Sequence, residues 1–522
     1  MKKYRNVIIL GVFVVALATF FIVRNVNFRD SLFSIGYYDE KVSIAYTADV
    51  HGHIIFDGDV GSYYSLDDVS VIMGQPHVKH FVNEVKKENE NTLLLDGGDM
   101  FHGTNEANVE KGKGVVDVAN LMGYNAGAVG NHDFDYGTDR LLEIKSQLNY
   151  PLLSANIYKD GELVFDEYKI EEIGGKKIGI IGLSFEYSLQ YTNSKEHNGW
   201  TIENPIDSAK RVVEKLKGKV DSIIVISHCG EETDKEIAQK VNEIDAIFSA
   251  HNHILSKTAK KIGNTYLLET GGYTTHMGLA ELYFKGDKMT SLKWSVKTSK
   301  DKSLADKEVE KVAEKYHEFA IESTKEVVGK AEVNLNGIRS ELRSKETNLA
   351  NLLTDAMRET AGADITLMNG GGIRESIPKG DINLYKIGKV LPFSNSLVLI
   401  EVKGQKIYDA IERGLRVYPS NLNGGFLQVS GINYTIDGSK TAGNRLVSVE
   451  INGKPLDKDK YYKVATNDYL YNGGDGYEEF EDAKLISMLE PLKDVLAKYL
   501  REKGTVSSKE EGRIKVVNER YK

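Results

Sequence analysis

A chain of 522 residues, 41% hydrophobic and 27% charged, is too long for one hydrophobic core and falls inside the globular range, so two domains with a tail are expected. Its formal charge of −9 excludes a non-specific grip on DNA or RNA polymers, though not a local basic pocket for one nucleotide. With Cys229 as the single cysteine no intramolecular disulfide can form, which leaves an extracellular location open.

Lys2, Lys3 and Arg5 precede an uncharged run from Val7 to Val23, which Arg24 and Arg29 follow. A helix over that run covers about 26 Å, slightly short of a bilayer core of about 30 Å, and flanking residues would make up the difference. Residues 1–40 therefore read as a membrane anchor or signal segment with a spacer, the rest of the chain lying outside the cytoplasm. The uncleaved anchor is preferred to secretion after cleavage because no convincing small-x-small site lies between the run and Lys41. No cysteine stands at the end of the run, where lipid attachment would need one, so a lipoprotein is not expected.

From Lys41 onward short apolar runs end in polar, Gly-rich corners: Val42 to Tyr46, Thr92 to Leu95, Ala126 to Val129, Ile178 to Leu183, Ile223 to Ile226 and Ala246 to Phe248. Unbroken Val/Ile/Leu runs suit strands buried on both faces of a sheet. Between them Val78, Phe81, Val82 and Val85, and again Ala209, Val212, Val213 and Leu216, recur at helical spacing. That alternation predicts an α/β domain over residues 41–300. The charged stretch 301–330, with Val309, Val312, Ala313 and Phe319 at helical spacing, predicts a helical connector. A second region of mixed elements, 331–522, follows, with helices predicted at Leu349 to Met357, Gln405 to Leu415 and Pro491 to Leu500.

Five corners of the first domain carry metal-binding side chains, each after an apolar strand: Asp49-Val50-His51, Gly98-Asp99, Gly130-Asn131-His132-Asp133, Ser227-His228 and His251-Asn252-His253. One loop His or Asp would be a surface group or a cap; five such corners in order point to metal. Two divalent ions about 3.5 to 4 Å apart can share a hydroxide aimed in line at phosphorus, with one carboxylate bridging them and imidazoles and an amide oxygen completing the shells. The order of the corners resembles the calcineurin-like metallophosphoesterase superfamily. That resemblance implies Asp49, His51 and His253 on one ion, Asn131, His228 and His251 on the other, and Asp99 as the bridge. Ala250 stands where the family has Gly, a change expected to alter loop geometry without removing a ligand. Mixed Asp/His/Asn shells accept Zn, Mn, Co, Fe or Mg, so the two ions are left unidentified.

The longer string Ala128-Val129-Gly130-Asn131-His132-Asp133-Phe134-Asp135 is similar to the 5'-nucleotidase branch of that superfamily. The resemblance implies a catalytic dyad in which His132 stabilises charge on the phosphoryl group and Asp135 orients it. His102, His276 and Cys229 lie near motif residues and are expected to be structural, while His77, His80, His197 and His317 receive no role.

In the second region Asn369-Gly370-Gly371-Gly372-Ile373-Arg374 follows an apolar run, a glycine corner that admits a ligand to the backbone and ends in a guanidinium fork. Three neighbouring segments join it. Arg339 and Arg343 precede Thr347-Asn348-Leu349-Ala350-Asn351-Leu352, and Leu391-Pro392-Phe393-Ser394-Asn395 and Tyr469-Leu470-Tyr471-Asn472-Gly473-Gly474-Asp475-Gly476 follow. Together, in that order, they resemble the substrate-binding domain of 5'-nucleotidases, with Ala350 in place of Gly and Tyr469 in place of Phe. Phe393 and Tyr469 are then expected to sandwich a base, Asp475 to take the ribose, Arg339, Arg343 and Arg374 to neutralise phosphate charge, and Asn369 and Gly371 to take part in substrate binding.

The resemblance implies a four-layer α/β/β/α metallophosphoesterase domain and a C-terminal α+β nucleotide-binding domain that rotate about the connector. The expected reaction is removal of a nucleotide's 5'-phosphate, with the membrane and the nucleotide as partners and the oligomeric state open. The alternatives are a 2',3'-cyclic-nucleotide phosphodiesterase, a UDP-sugar or dinucleotide hydrolase, and a non-catalytic nucleotide-binding surface protein.

Overall fold

Each apolar run becomes a strand whose alternate residues face opposite layers. Residues 28–57, 71–191, 197–393, 395–419, 422–480 and 482–518 are described in a computed structural model of the chain. The run read as an anchor and Ser394 lie outside them. Among the described residues no helix is long and apolar enough to cross a membrane.

In the first domain Glu40–Thr47, Thr92–Asp96, Ala126–Ala128 and Leu152–Leu153 lie parallel in one six-stranded sheet. Met277–Lys285 and Lys288–Lys297 extend it antiparallel beyond Glu40–Thr47. A second six-stranded sheet is centred on Lys176–Ser184, Ser222–His228, Ala246–Ser249 and Thr265–Glu269, again parallel. Val42, Ile44 and Tyr46 point between the sheets with Ile178, Ile180, Ile224, Ile226 and Phe248, forming the sandwich core. Ala45, from the same strand, faces Val78, Val82 and Val85 of the helix Gly74–Glu88. Ile223 and Val225 face Val212, Val213 and Leu216 of Pro205–Leu216. Helix, sheet, sheet, helix is the four-layer order expected.

The connector stretch is helical over Lys307–Ser323, and it does not bridge open space. Val309, Ala313 and Tyr316 are buried in the first domain's outer core, and the Asp306 amide donates to Pro76 O at 3.0 Å. The second domain takes hold at the next residue, where the Tyr385 amide donates to Thr324 O at 2.9 Å.

The second domain is built on a mixed five-stranded sheet in the order Leu427–Ser430, Ile365–Asn369, Tyr461–Asn467, Ser396–Lys403, Lys484–Pro491. Helices Asn348–Ala361 and Leu492–Lys503 share one core, and Gly404–Gly414 packs in another. Ile514–Val517 pairs parallel with Ile432–Asp437, and buried Glu346 anchors it by accepting from the Arg513 amide at 2.8 Å. Ala350 is fully buried in the first turn of Asn348–Ala361, its amide donating to the N-cap hydroxyl of Thr347 at 3.3 Å. A methyl there fills the core of this chain, which accounts for the departure from Gly.

Candidate active site

Parallel strands deliver their C-terminal loops to a common edge, and the expected ligands sit on those loops. Asp49 and His51 follow Glu40–Thr47, Asp99 follows Thr92–Asp96, Asn131 follows Ala126–Ala128, His228 ends Ser222–His228, and His251 and His253 follow Ala246–Ser249. Asp49, His51, Asp99, His251 and His253 all have positive φ, between 48° and 76°. Side chains in that region cost roughly 1–3 kcal/mol each, so five together mark backbone bent to aim donor groups inward.

The seven residues meet. Donor atoms of Asp49, His51 and His253 lie within 4.8 Å of one another, as do those of Asp49, Asp99 and His228. Asp99 Oδ2 is 3.5 Å from His51 Nε2 and 3.1 Å from His228 Nε2, so it faces a donor of each group. His251 Nδ1 is 2.9 Å from Asn131 Oδ1. Glycine is required at residue 130, because a Cβ there would fall 2.1 Å from Asp99 Oδ1.

The donor chemistry suits divalent cations. His228 Nδ1 lies 2.7 Å from Gly97 O and donates to it, which turns Nε2 inward, buried and without a well-aligned hydrogen bond. Burial opposes its charging, but Asp99 outweighs that and holds the imidazole up at about 10. Burial also pushes Asp49 up to about 7 against the pull of His228. A pocket that raises the Asp49 carboxyl this way and recruits a proton onto His228 is short of positive charge.

Beside it, His132 Nδ1 lies 2.8 Å from Asp135 Oδ2 on a single turn of 3₁₀ helix. Burial disfavours the His132 cation, yet Asp135 and Asp99 overcome it and raise the pKa to about 9. Burial works against the Asp135 carboxylate too, and His132 and His102 reverse it, holding the group well below the usual range.

The nucleotide-binding residues come from the other domain to the same place. One cleft of about 430 Å³ is lined by His51, Asp99, Asn131, His132, His251 and His253 and by Arg339, Arg343, Asn369, Gly371, Arg374, Phe393, Tyr469 and Asp475. Asp475 accepts from Asn369 Nδ2 at 3.1 Å, and Asn369 Oδ1 accepts from Asn467 Nδ2 at 2.9 Å. The Tyr469 hydroxyl, absent from Phe, accepts from the Asp475 amide at 3.1 Å. Gly371 meets backbone rather than open cleft on one side, its amide donating to Gly424 O at 2.8 Å. Phe393, expected against a base, lies over His132 with ring centroids 5.2 Å apart and planes at 26°, and the Arg374 guanidinium sits 5.3 Å above its ring.

Several groups at the site were given no site role by the sequence. Asp133 accepts from the amides of Asp99, Met100 and Gly130 at 3.1, 3.0 and 2.8 Å, tying two ligand loops together. Phe185 stacks on His251 with centroids 4.6 Å apart, and Tyr273 packs on His253 at 4.7 Å. His102 Nδ1 lies 3.0 Å from Asp135 Oδ2. Only its place three residues after Asp99, on the same loop, pointed toward the site. Cys229 is a buried thiol against Ser184 O at 3.4 Å, and His276 meets the Thr275 hydroxyl at 3.2 Å.

Residues 42–255 match the calcineurin-like phosphoesterase family, and residues 327–482 match the 5'-nucleotidase C-terminal domain. The 5'-nucleotidase of Rattus norvegicus is 30% identical over 91% of this chain and 90% of its own length. Protein UshA of Yersinia enterocolitica is 29% identical over 84% of this chain and 87% of its own. The trifunctional nucleotide phosphoesterase YfkN of Bacillus subtilis is 30% identical over 91% of this chain, which spans only 35% of that relative. Among solved structures, a 5'-nucleotidase precursor from Thermus thermophilus superposes with a TM-score of 0.77 at 30% identity, covering 92% of this chain and all of that one.

Proposed function

The chain belongs to the 5'-nucleotidase family of calcineurin-like phosphoesterases, and from that premise we propose that it removes the 5'-phosphate of a nucleoside monophosphate held between its two domains. It is a metal-dependent phosphoester hydrolase. The observation that carries the substrate reading is the single cleft in which His51, Asp99 and His132 face Arg339, Arg343, Arg374 and the aromatic rings of Phe393 and Tyr469.

Asp49, His51 and His253 would hold one divalent ion and Asn131, His228 and His251 the other, with Asp99 between them; bound there, the ions supply positive charge and an activated water. The chain's own groups do the rest. Arg339, Arg343 and Arg374 bind and turn the phosphate, and their charge offsets the acidity of the whole chain locally. The base enters between aromatic faces, a contact worth about 1 to 3 kcal/mol. Asp475 takes the ribose hydroxyls, already oriented by Asn369. His132, with Nδ1 committed to Asp135, presents Nε2 to the phosphoryl oxygens and the leaving 5'-oxygen.

The uncharged run Val7 to Val23 supports membrane anchoring with both domains outside the cytoplasm. Protease treatment of intact cells tests it: degradation of the domains is expected, and full protection would refute it.

The substrate reading is tested by offering AMP, 2',3'-cyclic nucleotides and UDP-glucose to the protein, with and without Mn(II). Turnover of AMP that requires the metal is expected. Turnover of cyclic substrates with none of AMP would overturn it.

A further inference from the structure

Asp135 has two imidazoles on one oxygen. His132 Nδ1 lies 2.8 Å from Asp135 Oδ2 and His102 Nδ1 lies 3.0 Å from the same atom. An ionised carboxylate only accepts: His132 Nδ1 meets it in a well-formed hydrogen bond, His102 Nδ1 meets it as a close polar contact without good hydrogen-bond alignment, and one oxygen has lone pairs for both. His102 is buried, and its ring is almost parallel to that of His132, at 11° with centroids 6.2 Å apart. Phe393, arriving from the second domain, lies over both rings at 26° and 22°. The edge of Tyr136 closes the other side of His102 at 5.0 Å.

We propose that His102 is a positioning residue for the reaction: as a second partner of Asp135 Oδ2 beside His132, it fixes the carboxylate, and through it the His132 ring, in the orientation needed at the phosphoryl group. This rests on the reading of His132 and Asp135 as the catalytic pair.

The physical case is one of freedom removed. A carboxylate with a single ring donor can turn about its Cβ–Cγ bond and exchange oxygens. With a second donor converging on the same oxygen, rotation breaks two contacts at once. Nothing about filling space requires the His102 nitrogen to face Asp135, since a phenyl ring would pack against Tyr136 and Phe393 as well. The loop that carries His102 also carries Asp99, whose Oδ1 accepts from the His132 amide at 2.7 Å. One short loop thus grips the His132 turn by its backbone and by the partner of its side chain.

Two substitutions separate orientation from packing. His102→Asn places an amide N–H near the position of the ring Nδ1, and His102→Phe keeps the ring and removes the donor. His102→Phe is expected to lower kcat for AMP about 10- to 100-fold, the usual cost of losing an outer partner of a site, with KM within about twofold and metal content unchanged. His102→Asn is expected to hold kcat within about fivefold of the parent. If His102→Phe fails to fold, His102→Ala with imidazole in the buffer serves instead, and recovery of kcat on adding imidazole is expected. Full activity in His102→Phe, equal loss in His102→Phe and His102→Asn, or no recovery with imidazole would each overturn the proposal. His132→Ala is measured alongside: if it is fully active the pair itself is wrong, whereas a strong loss there with silent His102 variants sinks His102 alone.

Discussion

Arg374 of the second domain donates a hydrogen bond to the hydroxyl of Tyr273 in the first, with its guanidinium 5.6 Å from the centre of the same ring. Tyr273 in turn packs on His51 and His253, and its amide donates to Asp49 O at 2.7 Å. One aromatic residue, held at φ +60°, therefore joins the expected phosphate arginine to the expected metal shell across the domain boundary. Tyr273→Phe keeps the ring and removes the hydroxyl. It is expected to raise KM for AMP about 10-fold or more, the worth of one hydrogen bond to a charged group, while bound metal is unchanged. Steady-state kinetics with elemental analysis checks it, and an unaltered KM would show the contact to be incidental.

His132→Ala should leave both ions in place and lower kcat by about 10²- to 10⁴-fold, the range of a positioned acid–base or charge-stabilising group. The metal content of the purified variant decides whether the loss is chemical. Parent-like metal with parent-like kcat would remove His132 from the mechanism.

Asp99→Asn takes one negative charge from between the two donor groups and is expected to lose bound metal as well as activity. Removing metal from the parent with a chelator should abolish turnover, and Mn(II) should restore the parent but not the variant. Stoichiometric metal in Asp99→Asn would show that Asp99 does not bridge.

Ala350→Gly restores the residue usual in the family, at the cost of a buried methyl and of helix propensity. About 1 kcal/mol or more should be lost, lowering Tm by roughly 2–4 °C with kinetics unchanged. A thermal melt reads this directly, and a gain in Tm would mean that the methyl is strained rather than packed.

Glu106 Oε1 accepts from His317 Nδ1 at 2.7 Å and from the Tyr385 hydroxyl at 3.1 Å, joining the first domain, the connector helix and the second domain. The hydrogen bond to Glu106 raises the His317 pKa above its ordinary 6.5. Glu106 titrates below its ordinary 4.5, because His317 outweighs the effect of burial. A raised His contributes in full below 6.5 and fades as pH climbs through its folded value; a lowered Glu contributes above 4.5 and fades in acid. The difference in Tm between the parent and His317→Gln should therefore be widest between pH 4.5 and 6.5 and narrow above it. His317 is half-buried, so solvent screening limits the pair to about 1 kcal/mol. A gap that widens toward pH 8 would contradict the pairing.

Much of this architecture was legible because chemistry and periodicity coincide in the first domain. Buried parallel strands write continuous apolar runs, and five of the six runs end where a ligand begins, so Val42 to Tyr46 announced Asp49 and Ala246 to Phe248 announced His251. The antiparallel strands Met277–Lys285 and Lys288–Lys297 were not among the predicted runs: Met277–Lys285 carries Glu281, and Lys288–Lys297 alternates with partly exposed polar residues. Asp133 stood inside the quoted motif, yet its grip on backbone amides depends on how two loops face each other. His102 and Tyr273 act through contacts with residues far along the chain or in the other domain. No spacing along a sequence encodes such meetings.

The connector helix ends at Ser323 within one body, and the other already grips Thr324. Adjacent residues thus belong to different bodies with no free chain between them, so a change of backbone at Ser323 and Thr324 would be felt on both sides at once.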